Sequence, residues 1–421
     1  MEAVVHIECG LRAESSMSDA EAEERVRALL EVQSITVYRN GPIDLSDAEV
    51  LRSHALFVRV ADVASAEGVG HWGATLHVHV FRLCDEGGLD EFVPGGSGGG
   101  EEVASSRQWE LPSTDFDGLW GNLVFDAGVK ERLVEYAATA LLFAARGVSP
   151  HVVSVNRLML LHGPPGTGKT SLCRAVAQKL SIRLGHVYPH AMLLEINAHS
   201  LFSRWFSESG KLVMRLFEHI AELVEDEEML VMVLIDEVES LSASRSAAMG
   251  GAEPSDAIRV VNALLTQIDK LRLNENVLIL TTSNITEAID TAFIDRADVK
   301  QYIGNPNHAA RYVILAGALE ELMRVGLISP PCRVPSFAEA AAAAAAGASA
   351  SSLWAVAAAC AGLSGRALRK LPFQAHAFAL RKAAATCDEY VAALLSAVHH
   401  EKAMRAELGI HVGGGAAAME G

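Results

Sequence analysis

The stretch Gly163-Pro164-Pro165-Gly166-Thr167-Gly168-Lys169-Thr170 constrains this chain more than any other. It follows the apolar run Leu158-Met159-Leu160-Leu161, long enough for a buried strand. It precedes Ser171–Leu180, whose apolar residues recur at helical spacing. G-x-x-x-x-G-K-T between a strand and a helix is the context of a phosphate-binding loop. The glycines let the backbone turn tightly and approach a ligand. Unpaired amides at the start of the next helix point at phosphate, and the helix dipole favours its charge. Lys169 reaches the outer phosphates as a point charge, and Thr170 places its hydroxyl on Mg²⁺. Gly163 through Ser171 are the expected nucleotide-binding residues.

A second segment, Val233-Leu234-Ile235-Asp236-Glu237, is an apolar run ending in two acids. A buried strand would hold these acids at the carboxyl edge of a sheet, where open α/β folds bind ligands. Asp236 is expected to hold Mg²⁺, and Glu237 to polarise an attacking water as general base. Alone the pattern is weak, since many strands end in polar residues; after the phosphate loop it is strong. Asn284 ends a neighbouring apolar run and could orient the same water; otherwise it is a turn residue. Phosphoryl transfer also needs positive charge, often an arginine from a neighbour. The candidates are Arg296, in Asp295-Arg296-Ala297-Asp298, and Arg366, in Gly362-Leu363-Ser364-Gly365-Arg366.

The flanking regions read as follows. Residues 1–110 are expected to form a small α+β domain. Its strands are Val4–Glu8, Ile35–Tyr38, Ala55–Val60 and Thr75–Leu83, and its helix is Asp19–Val32. His77 and His79 share a strand face; with no third ligand nearby they read as solvated. Gly87–Gly100 reads as a flexible loop, and Trp109 and Trp120 as packing anchors. Residues 111–305 alternate strands (Met192–Ile196, Met229–Ile235, Val277–Leu280) with helices such as Leu212–Val224. That implies an α/β fold with a parallel sheet. Residues 306–412 contain no expected strand and form a helical lid, with an alanine-rich insertion at Ala338–Ala361. Residues 413–421 are expected to be disordered.

Composition narrows the function. The chain has 421 residues, half of them hydrophobic, enough for two or three domains. No apolar run approaches the ~20 residues of a membrane span, and no basic stretch precedes the first apolar residues, so neither membrane nor secretion is expected. Six scattered cysteines suit a reducing compartment and argue against a disulfide or zinc framework. The net charge is −17, and residues 1–110 alone carry 20 Asp and Glu against 8 Arg and no Lys. Such a segment is a poor nucleic-acid footprint. It reads first as a solubilising surface, and second as a docking face for basic partners.

The order of Gly163–Thr170, Val233–Glu237, Asn284, Arg296 and Gly365-Arg366 resembles the AAA+ ATPases. Ser203–Lys211, Glu253–Arg259 and Gly362–Pro372 are similar to the pachytene checkpoint protein 2 family, also called the thyroid receptor-interacting protein 13 type. The resemblance is dense from about Leu119 to Leu371, weaker over residues 1–110, and absent in the alanine-rich insertion. It implies a homohexameric ring that uses ATP and Mg²⁺ to convert HORMA-domain proteins from closed to open form. A HORMA-type adaptor often presents the substrate to such rings. The settings it implies are meiotic chromosome axes and the spindle checkpoint, in nucleus and cytosol and on chromosomes. By the same resemblance Trp205 and Phe206 belong to a pore loop that grips the threaded chain, although their residue types alone favour core packing. Asn284 is then a sensor, Arg296 the finger into the next subunit's site, and Arg366 a second sensor on the lid.

Two rivals stand beside that reading. One is an AAA+ enzyme acting on other proteins, such as a protease or severing ATPase. His400-Glu401-Lys402-Ala403-Met404 lacks the second histidine of a zinc-protease motif, and no basic tubulin-binding segment is visible. The other is a nucleotide-binding scaffold, against which Glu237, Asn284 and Arg296 argue.

Overall fold

The computed structural model describes residues 3–63, 68–93, 103–149, 151–198, 209–240, 256–285, 289, 291–346 and 352–408. The chain falls into two compact units. One comprises residues 1–120, 128–162 and 170–301, the other residues 121–127, 163–169 and 302–421.

The first unit opens with β1 (Ala3–Leu11), α1 (Asp19–Val32), β2 (Val37–Tyr38), β3 (Gly41–Pro42), α2 (Glu49–His54), β4 (Ala55–Ala61), β5 (Val69–Gly70) and β6 (Ala74–Arg82). A four-stranded sheet runs β3-β4-β1-β6, with β1 parallel to β6 and antiparallel to β4. Ser18 caps α1, its hydroxyl accepting from the Glu21 amide. The helix buries Ala22, Val26, Leu29 and Leu30 against Val5, Ile7 and Val58, the face its spacing predicts.

Next come β7 (Leu89–Val93), β8 (Val103–Leu111), α3 (Leu119–Asn122), α4 (Val129–Ala145), β9 (Leu158–His162), α5 (Lys169–Arg183), β10 (His190–Asn197), α6 (Ser209–Val224), β11 (Met229–Asp236), α7 (Asp256–Leu271), β12 (Val277–Ser283), α8 (Thr291–Arg296) and β13 (Val299–Tyr302). The larger sheet runs β13-β9-β12-β11-β10-β8-β7. Strands β9, β12, β11 and β10 are parallel; β8 is antiparallel to β10, and β7 to β8. Strand β11 is apolar and buried along nearly its whole length, as a doubly covered parallel strand must be. On one face, Val213, Leu216, Phe217 and Ile220 of α6 and Val261, Leu264 and Ile268 of α7 meet Val231, Val233 and Ile235 of β11. Each such burial stabilises by about 1.5–3 kcal/mol.

Three expectations change here. The 1–110 segment does not stay with the smaller sheet, because β7 and β8 join the larger one. A glycine-rich, acidic stretch gives no local sign of that pairing; β10 supplies it. Leu89–Val93, read as loop, is therefore strand, while residues 94–102 lie outside the described residues. His77 and His79 do not form a common solvated face. His77 is exposed, but His79 Nε2 and His6 Nδ1 share a hydrogen bond of 2.9 Å. No group of three or more His, Cys, Asp or Glu among the described residues is placed to hold a metal. No helix among them is long and apolar enough to cross a membrane. Trp109 is buried, its Nε1 donating to Asp115 at 3.0 Å, as a packing anchor should be.

The second unit is helical after β13: α9 (His308–Arg324), α10 (Phe337–Ala345), α11 (Leu353–Ala359), α12 (Gly365–Gln374), a π-helical turn Ala375–Leu380, and α13 (Cys387–Glu407). Its core holds Tyr312, Leu315, Leu319, Val356, Leu368, Leu371, Tyr390 and Leu394. The alanine-rich insertion supplies α10 and α11. Only Ala340 of α10 is buried, and a Ser336–Glu339 capping box sets its start. Cys332 and Cys387 form a disulfide, where the scattered cysteines argued against a disulfide framework. Their 55-residue separation carries no spacing signal.

Candidate active site

In the second unit the phosphate loop is packed too closely for side chains at its glycines. Gly163 has φ +143°, and a Cβ there would collide with the Ile303 carbonyl oxygen. Gly166 has φ +77°, and a Cβ there would lie 3.0 Å from Ser364 Oγ and 3.2 Å from Arg366 Cβ. Only glycine adopts such angles without strain. Thr167 Oγ1 donates to the Pro164 carbonyl at 3.0 Å, closing the turn. Lys169 is buried, its Nζ donating to the Gly163 and Pro164 carbonyls at 2.8 and 2.9 Å. The backbone itself therefore aims the ammonium along the loop.

Arg366 reaches this loop through its main chain, its amide donating to the Gly166 carbonyl at 3.0 Å. Ser364 caps α12 beside it, accepting from the Ala367 amide. Leu123 and Phe125 line the same turn, 3.6 and 3.5 Å from where a Gly168 Cβ would stand. Neither was read from the sequence as a site residue. Their only signal was position, in the stretch leading into the first long helix. Arg369 Nη2 donates to the Asn122 carbonyl at 2.6 Å and holds that segment in place.

In the first unit, parallel register brings three strand ends to one edge. Ser283 of β12 aligns with His162 of β9, and Ile235 of β11 with Thr281 of β12. Asp236 closes β11. It accepts hydrogen bonds from Thr170 Oγ1 at 2.9 and 3.2 Å, and from Thr282 Oγ1. A hydroxyl and a carboxylate, both hard oxygen donors, suit a small divalent cation.

Glu237 stands next, at φ +61°. A left-handed non-glycine residue costs of order 1–3 kcal/mol and persists only where its surroundings impose it. The Glu237 amide donates to Thr282 Oγ1 at 3.3 Å, and its carbonyl accepts from the Ser240 amide and hydroxyl. Asn284 Nδ2 donates to Glu237 Oε1 at 3.4 Å. Thr282 thus ties both acids together, a role its place one step inside the strand end did not reveal. Asp236, Glu237, Asn284 and Thr170 gather as the sequence pattern anticipated.

Arg296 is held elsewhere. Its Nε and Nη2 donate to Asp269 of α7 at 3.0 and 2.8 Å, and its Nη1 to the Ala292 carbonyl at 2.8 Å. Those bonds hold the Asp269 carboxyl below its usual range. Trp205 and Phe206 lie outside the described residues.

Residues 159–305 match the model of the ATPase family associated with various cellular activities. Residues 307–402 match the TRIP13-like AAA+ ATPase lid C-terminal domain, and residues 1–86 the TRIP13 N-terminal domain. The chain is 46% identical to the pachytene checkpoint protein 2 homolog of Oryza sativa subsp. indica over 94% of this chain and 87% of that one. Against the Homo sapiens homolog it is 43% identical over 97% and 95% of the two chains. The solved structure of C. elegans PCH-2 superposes with a TM-score of 0.75 at 33% identity, covering 95% of this chain and all of the other. A nucleotide-binding loop, an acid pair at a parallel sheet edge and this agreement along nearly the whole length lead to one conclusion: the chain belongs to the pachytene checkpoint protein 2 family of AAA+ ATPases.

Proposed function

We propose that this chain works as a ring of six copies that hydrolyses ATP and uses each cycle to pull a HORMA-domain protein from its closed to its open form. The observation that carries the reading is Glu237, forced into a left-handed backbone beside Asp236 with the Asn284 amide on its carboxylate. A scaffold that only bound nucleotide would have no use for a strained, oriented carboxylate there. Family membership supports the HORMA substrate, a HORMA-type adaptor and the acidic N-terminal segment as the receiving surface.

Family membership, and the contacts of those residues that are described, support the following roles. Backbone amides of Gly166–Thr170 cradle the phosphates, and Lys169 exchanges its loop carbonyls for the outer ones. Thr170 and Asp236 would hold Mg²⁺, which would supply positive charge against the negative charge developing on the phosphates. Glu237 takes the proton of the attacking water, with Asn284 fixing the carboxylate that receives it. Arg366 follows the loop through its main-chain bond to Gly166. Arg296 gives up Asp269 to serve the next subunit's nucleotide, which makes hydrolysis depend on the ring. Trp205 and Phe206 grip the threaded chain. The places of action are the nucleus and cytosol, including meiotic chromosome axes and spindle-checkpoint complexes.

The test is phosphate release by the purified chain with and without a closed HORMA-domain protein, followed by native separation of the two HORMA forms. Stimulated hydrolysis with conversion to the open form is expected. Nucleotide binding without conversion of any HORMA protein sinks the proposal. Imaging a tagged chain through mitosis and meiosis checks the places of action.

A further inference from the structure

The helical unit carries a chemical feature that ATP hydrolysis does not use. Cys332 and Cys387 lie 55 residues apart in sequence, yet their Cα atoms are 6.5 Å apart and their sulfurs are bonded. That spacing is one a disulfide spans. The fold builds it. The Ser329 amide donates to the Ala385 carbonyl at 3.0 Å, and the Ala385 amide to the Leu327 carbonyl at 3.1 Å. Ile328 and Ala385 thereby form a parallel bridge, and both are buried. Beyond this crossing the two segments leave the core together, and each reaches its cysteine within a few residues. Both cysteines are half-buried, so small oxidants and reductants reach them. Cys387 also sits in the first turn of α13. Cys9 and Cys360 differ: they are buried and unpaired, and burial pushes each thiol up to about 11.

We propose that Cys332 and Cys387 are a reversible redox pair whose cross-link fastens the alanine-rich insertion and the Arg366 segment into one closed loop. The oxidant is a peroxide. One thiolate attacks a peroxide oxygen, the O–O bond breaks, and hydroxide leaves, giving a sulfenic acid. The second thiolate attacks that sulfur, the S–S bond forms, and a second hydroxide leaves. With the two thiol protons, the sum is two thiols and one hydrogen peroxide to one disulfide and two waters. A dithiol reverses the step by exchange. Closing this loop removes freedom mainly from the unfolded chain. The loop so closed takes in α10, of which only Ala340 is buried and Phe337 packs half-buried against Tyr312 and Trp354.

The test uses the full chain, reduced with dithiothreitol, desalted, and exposed to hydrogen peroxide. Thiols are counted in denaturant, and non-reduced peptides are mapped by mass spectrometry. Six thiols should fall to four, with one cross-linked peptide joining Cys332 to Cys387. The melting temperature should rise by about 5–10 °C and return on re-reduction. Cys332→Ser and Cys387→Ser should each lose both the cross-link and the rise while keeping ATPase activity. Six thiols remaining after peroxide, a cross-link to any other cysteine, or the same rise in Cys332→Ser overturns the proposal. The thiol count on the unmutated chain decides it even should a variant fold poorly.

Discussion

At the scale of single residues, the chemistry rests on side chains whose backbones were chosen for them. Glu237 occupies a left-handed conformation that Thr282 and Ser240 impose. Glu237→Gln keeps that geometry and removes the base. It should lower hydrolysis by about 10²–10⁴-fold with nucleotide affinity unchanged, as steady-state phosphate release and nucleotide titration would read. Gly163→Ala acts differently. Its methyl group would meet the Ile303 carbonyl at a positive φ, so a loss of about 1–3 kcal/mol in stability is expected with weakened nucleotide binding, measured by denaturant midpoint and titration. Unaltered binding by this variant would mean the loop is looser than described. The letters of both motifs were legible because phosphate and metal chemistry demand particular residue types at short spacing. Thr282, Leu123 and Phe125 were not, since any strand end or linker carries such residues and only proximity gives them a role.

At the scale of elements, α5 shows how much a helix pattern conceals. Its apolar spacing and its phosphate-loop start were readable. Its far end was not. Lys179 there is buried and pairs with Glu8 of β1 and with Asp62 at 3.2 Å. Arg183 adds a bond to Asp62 at 2.8 Å, and Arg59 one to Glu8 at 2.8 Å. Burial pushes the Asp62 carboxyl up, but Lys179 and Arg183 outweigh it and hold it below its usual range. This cluster fixes the four-stranded sheet to the helix that begins at Lys169. Lys179→Ala leaves two buried carboxylates short of a partner and should cost about 3–5 kcal/mol, read as a fall in the denaturant midpoint. A change below ~1 kcal/mol would show that water screens the cluster. Helix α6 was legible for the opposite reason: its core contacts repeat every three or four residues. Strand β7 was read as loop and β8 was given no element, because an added antiparallel pair is defined by its neighbour β10 rather than by its own residues.

For the whole molecule, pH and assembly give the sharpest tests. Burial, helped by Arg183, pushes His6 down to about 3 and His79 to about 4. Around them stand His77, His186, Glu8 and Asp62. Both rings are neutral in the folded chain and take protons more readily when it unfolds. Their contribution is complete above the unfolded value near 6.5 and is lost as pH falls toward 4. After discounting for residual solvent screening, on the order of 2 kcal/mol should disappear between pH 7 and pH 4, and His79→Asn should flatten that slope. Arg296→Ala should leave ATP binding largely intact and abolish turnover, because a finger acts across a subunit boundary; normal hydrolysis would remove it from the mechanism. Light scattering with ATP and magnesium should report six copies, and a monomer would end the ring model. By itself the sequence determined the phosphate loop, the acid pair, the parallel α/β core and the family, since each is written in residue types and spacings within a few turns of chain. Only the tertiary structure decided that Arg366 meets Gly166, that Glu8 meets Lys179, that His6 meets His79 and that Cys332 meets Cys387. Those meetings join segments tens to hundreds of residues apart, and their partners are chosen by how buried faces pack, which no local pattern records.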